Sequence, residues 1–224
     1  MSIRVLLVDD QALLRQGFRM VLSAEPDLEV VGEAGDGTEA VRLTQELRPD
    51  VVLMDVRMPG LDGIEATRRI VATTAVSKVI ILTTFDIDQY AFAGLNAGAS
   101  GFLLKDVLPT ELVAAIRSVA SGDAVIAPST TRRLLDAYAD RLPSGDSNDA
   151  AVGARLDVLT DREREVLGQM AAGMSNTEIA RHLVLSEATV KTHVGRVLAK
   201  LGVRDRVQAV IVAYENGLRP ETRL

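Results

Sequence analysis

Four apolar residues, Val51-Val52-Leu53-Met54, end abruptly at a carboxylate, Asp55, and Met58-Pro59-Gly60 follows almost at once. A short continuous apolar run suits a strand buried on both faces of a parallel sheet. A charge at its end is costly unless something uses it. The Pro-Gly pair forces a turn, and Asp62 is placed to cap the next helix. Asp55 therefore belongs at the carboxyl end of a central strand, the edge where open α/β sheets place their ligands.

The flanking sequence repeats this alternation. Strands are expected over Ile3 to Val8, Leu28 to Glu33, Val51 to Met54, Val79 to Leu82 and Gly101 to Leu104. Helices are expected after Asp10, over Thr38 to Leu47, through Ile64 and Ile70, over Asp88 to Asn96 and from Pro109 to about Ala120. Five strand-helix alternations argue for a doubly wound, five-stranded parallel sheet, flavodoxin-like in strand order 2-1-3-4-5. From Gly122 the alternation stops. Ser129 to Ala139 reads as a helix, Leu142 to Ala154 as a flexible linker, and the remainder as an all-α domain. The expected organisation is a first domain at 1–122, a linker with one helix at 123–155 and a helical domain at 156–224.

Charge divides along the same lines. Residues 1–122 carry 11 Lys/Arg against 17 Asp/Glu, whereas Glu178 to Arg206 carries 6 basic residues against 3 acidic ones. Different partners for the two halves follow from such a split. There is no cysteine, so neither a disulfide framework nor a thiolate metal site is possible. No apolar run approaches bilayer length, and the expectation is a soluble cytoplasmic protein without a membrane partner.

In the 2-1-3-4-5 order, Asp9, Asp10 and Asp55 meet at the topological switch point. Taken alone, Asp9-Asp10 is a helix cap, Thr83 a strand-end hydroxyl and Lys105 a solvated lysine. Together they occupy four strand ends on one edge. Three close carboxylates repel one another, and Mg²⁺ suits such an oxygen-only site. An aspartate nucleophile, a metal, a hydroxyl and an ammonium are the parts needed to accept a phosphoryl group. Residues 3–121 resemble the receiver domain of a two-component response regulator. That resemblance implies Asp55 as phosphoacceptor, Asp9, Asp10 and Asp55 as Mg²⁺ ligands with the backbone carbonyl of Arg57, and Thr83 as the switch hydroxyl. It also implies Lys105 as the phosphate-neutralising lysine, Phe102 as the aromatic that changes rotamer, and a sensor histidine kinase as phosphodonor. Asp106 stands where many receivers have proline. No cis peptide is expected there, because a non-proline cis bond costs about 2.5–4 kcal/mol.

In the last third, Thr160 with Glu163 and Ser175 with Glu178 have the spacing of capping boxes, and Ser186 is a good N-cap. Three short helices each carry one apolar face, with a brief Val184-Leu185-Ser186 turn between the second and third. Thr189, Lys191, Thr192, His193, Gly195, Arg196 and Lys200 crowd the third helix with polar and basic groups suited to a major groove. Arg181, Lys200 and helix N-terminal amides would hold phosphates. The plainer reading is a solvated basic face on a helical bundle. LTDREREVLGQMAAGMSNTEIARHLVLSEATVKTHVGRVLAKLGV, from Leu159 to Val203, closely resembles the DNA-binding domain of the NarL/LuxR (FixJ) type. By that resemblance the helix from Ser186 to Leu201 binds double-stranded operator DNA, an inverted repeat read by a homodimer. Gly195 replaces a lysine of some relatives, which removes one contact. Val207, Val210, Ile211 and Tyr214, on a helix from Asp205 to Asn216, correspond to the family's dimerisation helix, or else close the bundle.

The sum is a phosphorylation-controlled transcription regulator and not an enzyme. A phosphatase working through an aspartyl phosphate would need a carboxylate where Arg57 stands. A sensor of an apolar ligand is disfavoured by 3% aromatic content. A regulator that never uses phosphate is a further alternative.

Overall fold

The structure is a computed structural model that describes residues 2–74, 76–84, 87–121 and 156–218. These fall into two units, one within 1–126 and one within 127–224. The expected linker at 123–155 and its Ser129 to Ala139 helix lie outside the described residues.

In the first unit, β1 (Ile3–Val8), α1 (Ala12–Ser23), β2 (Leu28–Ala34), α2 (Gly37–Leu47), β3 (Val51–Asp55), α3 (Gly63–Thr73), β4 (Lys78–Thr83), α4 (Ile87–Asn96), β5 (Gly101–Leu104) and α5 (Pro109–Ala120) alternate. The sheet is parallel throughout, in order β2-β1-β3-β4-β5. This is the doubly wound, flavodoxin-like strand order anticipated from the sequence. Strand alternation divides its core. Val5, Leu7, Leu53, Ile80, Leu82 and Leu103 join Phe18 and Leu22 of α1 and Leu112, Ile116 and Val119 of α5 in one cluster. The intervening Leu6, Val52, Met54, Ile81 and Phe102 are equally buried. β3 has no exposed residue, as its unbroken apolar run requires.

Register decides which side chains meet at the sheet's carboxyl edge. Val8 pairs with Met54, Asp55 with Leu82, and Thr83 with Leu104. Asp9 therefore follows the row next to Asp55, and Thr83 and Lys105 continue the same edge with a stagger of one residue per strand.

The second unit contains α6 (Asp161–Ala171), α7 (Asn176–His182), α8 (Glu187–Leu201) and α9 (Arg206–Glu215). Both expected capping boxes form, Thr160 with Glu163 and Ser175 with Glu178. Ser186 caps α8 and Asp205 caps α9 through their side chains. Gly202 ends α8 at φ 65°, the left-handed conformation that glycine adopts most cheaply. Val166, Leu167, Met170, Ile179, Val190, Val194, Val197 and Leu201 supply the core. Asp205 and Asn216 turn out to be the caps of α9 rather than members of it.

Candidate acidic centre and nucleic-acid interface

Asp55 ends β3 and is 4% exposed. One oxygen, Oδ1, accepts the amide of Arg57 at 3.3 Å, and Oδ2 lies 3.0 Å from Lys105 Nζ. Asp9 is 1% exposed; its Oδ1 accepts the amide of Gln11 at 2.9 Å and its Oδ2 lies 2.7 Å from the same ammonium. Despite that short approach, Asp9 Oδ2 has no well-directed hydrogen-bond donor, because the ammonium sits off the hydrogen-bonding direction. Asp10 is exposed at the mouth, and the three carboxylates each offer an oxygen within 4.8 Å of the others. The cap reading of Asp9-Asp10 is not realised, since the N-cap of α1 is Gln11, which makes no side-chain cap hydrogen bond.

Burial, then the negative charge of Asp9, push the Asp55 carboxyl above the usual carboxylate range, and the hydrogen bond from Lys105 opposes them. One ammonium is thus shared between two buried carboxylates, with a third carboxylate beside them. A hard divalent cation fits this donor set, which is all oxygen and includes a buried oxygen lacking a directed donor.

The surrounding elements hold the centre in place. A Cβ on Gly63 would fall 1.8 Å from the Asp55 carbonyl oxygen, so the first turn of α3 reaches the strand end only because residue 63 is glycine. Its amide donates to Val56 O at 2.9 Å. Arg15 Nη1 donates to the Asp9 carbonyl at 2.6 Å and its Nε to Glu33 at 3.1 Å, a brace that the helical pattern of α1 did not single out. Thr83 is 3% exposed, and its carbonyl accepts the Lys105 amide at 2.8 Å. Phe102, 1% exposed, pairs with Ile81 inside the sheet. Arg57 lies at the site through its backbone, while its guanidinium reaches Thr84 Oγ1 at 3.2 Å. Among the described residues no cis peptide occurs.

On α8, Lys191, Thr192, Gly195 and Arg196 are exposed together, and Thr189 and His193 are partly covered. Lys191 is steadied by Glu187 one turn earlier at 3.3 Å. The Thr192 hydroxyl donates to Ala188 O at 3.0 Å. Ser186 Oγ accepts the Thr189 amide at 3.1 Å and meets the Thr189 hydroxyl at 2.8 Å, so this pair first serves the cap. Arg181, on α7, is exposed.

Two placements depart from the sequence expectations. Lys200 does not stand free but ion-pairs with Glu163 at 2.6 Å. Val207, Val210, Ile211 and Tyr214 are all at most 7% exposed in the single chain. Tyr214 also donates to Ala171 O of α6 at 3.4 Å. Of the two uses open to α9, bundle closure is the one these side chains serve here. A dimer contact would need them at the surface, and no separate polar face in the sequence flagged the difference.

Comparison with known proteins agrees with this geometry. Residues 5–117 match the response regulator receiver domain, and residues 157–213 match the bacterial regulatory proteins of the luxR family. The chain is 46% identical over 217 residues to the uncharacterized transcriptional regulatory protein YxjL of Bacillus subtilis, covering 97% of each. It is 42% identical to the transcriptional regulatory protein LiaR of the same organism, covering 96% of this chain and 99% of that one. The response regulator ChrA of a heme-sensing two-component system matches in structure with a TM-score of 0.51 at 37% identity, over 97% of this chain and 98% of that one. RcsB, solved as two dimers bound to two parallel DNAs, matches with a TM-score of 0.56 at 26% identity, over 96% and 99%. The chain belongs to the response regulators of the LuxR family, DNA-binding transcription regulators in which a receiver domain precedes a LuxR-type helix-turn-helix domain.

Proposed function

We propose that Asp55 accepts a phosphoryl group from a sensor histidine kinase and that this modification controls operator binding by α8. The observation that carries the proposal is the shared ammonium: Lys105 lies within 3.0 Å of both Asp9 and Asp55, where a phosphoryl oxygen would also need a positive partner. In the transfer, an Asp55 carboxylate oxygen forms a bond to phosphorus as the donor's N–P bond breaks, and the imidazole leaves. Asp9, Asp10, Asp55 and the Arg57 carbonyl are the groups suited to hold Mg²⁺, which would supply positive charge to offset the carboxylates and the incoming phosphoryl group. Lys105 and the Thr83 hydroxyl then turn toward the added phosphate, whose charge is on the order of −1.5 to −2 by analogy with phosphomonoesters. Phe102 repacks with Thr83.

The operator is double-stranded DNA, an inverted repeat met by a homodimer, with Lys191, Thr192, Gly195 and Arg196 facing bases or backbone and Arg181 holding phosphate. The domain limits that go with this reading are 1–122, 123–155 and 156–224, and the site of action is the cytoplasm. Among the described residues no helix is long and apolar enough to cross a membrane. The test is incubation with a small phosphodonor and Mg²⁺. The wild type acquires one alkali-labile phosphate and Asp55→Asn acquires none; labile phosphate on Asp55→Asn would contradict the assignment.

A further inference from the structure

Glu163 is the third helical residue of α6, where a capping-box glutamate ordinarily faces water. Here its side chain is 5% exposed. One carboxylate oxygen, Oε2, accepts the Thr160 amide at 2.8 Å and the Lys200 ammonium at 2.6 Å. The same carboxylate thus closes the cap of α6 and grips the last turn of α8. A buried carboxylate left without a cation is unfavourable, so Lys200 is the partner that keeps it tolerable.

Helical geometry places Lys200 on the far side of α8 from Lys191 and beside Arg196. Lys200 is exposed, with its side chain at 38%, as are Lys191, Thr192, Gly195 and Arg196. At 3.6 residues per turn, Lys200 lies about 180° around the helix from Lys191 and about 40° from Arg196. Its ammonium nevertheless reaches α6, where its charge is engaged by Glu163 at hydrogen-bond distance.

We infer that Lys200 and Glu163 are positioning residues: the ion pair fixes the attitude of α8 against α6, and Lys200 takes no part in neutralising DNA phosphates. This rests on the reading of α8 as the DNA-binding helix. Breaking the pair lets α8 tilt, so contacts that demand alignment with base edges weaken while the sequence-independent attraction of the remaining cations persists.

The experiment uses the full-length protein, phosphodonor and Mg²⁺, a duplex selected from random sequence by the wild type, and an unrelated duplex of equal length. Affinities are measured across a series of salt concentrations. Each lost phosphate contact flattens the slope of log K against log salt by about 0.9. Lys200→Met and Glu163→Gln are expected to weaken the selected duplex tenfold or more and the unrelated duplex less than twofold, with the wild-type salt slope. Their double variant should be no worse than either single one, as coupled partners require. Lys200→Gln can still donate a neutral hydrogen bond to Glu163 and guards against loss of folding; its slope too should equal that of wild type. A slope flattened by about 0.9 in Lys200→Gln or Lys200→Met, or equal weakening on both duplexes by folded protein, overturns the inference. Failure of the wild type to bind either duplex would instead overturn the reading of α8 as a DNA-binding helix.

Discussion

Asp55 is held with one oxygen on the Arg57 amide and the other near Lys105, in a place where burial and Asp9 both resist its ionisation. Its folded-state carboxyl therefore binds a proton more tightly than the unfolded chain does. The corresponding stability is present at low pH and declines as pH rises from the ordinary carboxylate range through the raised value. Asp55→Asn removes that conflict and keeps the shape. Its first unit should be more stable than that of wild type at neutral pH without divalent metal, by roughly 1–3 kcal/mol, the scale of a poorly satisfied buried polar group. Mg²⁺ should raise the wild-type midpoint and leave Asp55→Asn nearly unmoved. Calorimetry on both proteins with and without Mg²⁺ checks this, and an Asn variant that melts below wild type would contradict it. Glu163 has the opposite sign. The Lys200 ion pair, followed by the Thr160 amide, holds its carboxyl down to about 2. Its contribution is present above the ordinary glutamate range and is lost as pH falls toward about 2. The stability gap between wild type and Glu163→Gln should therefore narrow as the solution is acidified, as followed by thermal denaturation of the second unit.

Elements meet at two positions where a single residue's backbone matters. Gly63 lets α3 start against the Asp55 carbonyl, and Gly63→Ala forces either α3 or the end of β3 to move. A loss of roughly 1–3 kcal/mol in the first unit is expected, the usual range for overpacking. Chemical denaturation measures it, and an unchanged midpoint would show that the contact gives way easily. Val184, between α7 and α8, has φ 54° and is 90% exposed. A β-branched residue is strained in this region, whereas asparagine tolerates it. Val184→Asn should stabilise the second unit by about 1 kcal/mol, and thermal denaturation of the variant checks the direction. These positions also mark what the sequence reveals. The run Val51 to Met54 and its neighbours announced a parallel sheet because burial on both faces leaves continuous apolar stretches. The positions of Asp9, Asp55 and Lys105 then followed from strand order alone. The cap residues were legible because capping is local. The Glu163–Lys200 pair, the Arg15 brace and the buried face of α9 were not, since each depends on how distant elements pack. Lys200 in particular shares its chemistry with Lys191, and only the angle around α8 tells them apart.

At the scale of the molecule, an acidic centre in one unit and a LuxR-type DNA-binding domain in the other are joined by one chain. Residues 1–122 hold 11 basic against 17 acidic groups, and Glu178 to Arg206 hold 6 against 3, so attraction to DNA resides in the second unit. A phosphate on Asp55 can alter operator affinity only if it favours a state of the whole chain, or of two chains, that binds DNA better. The most direct measurement is the equilibrium affinity of full-length protein for a wild-type-selected duplex at one fixed salt concentration, with and without phosphodonor and Mg²⁺, for wild type and Asp55→Asn. The expected result is phosphodonor-dependent tightening of about fivefold or more, within the usual span of allosteric coupling, in wild type alone. Equal affinity under both conditions, or the same tightening in Asp55→Asn, would contradict control of DNA binding through Asp55.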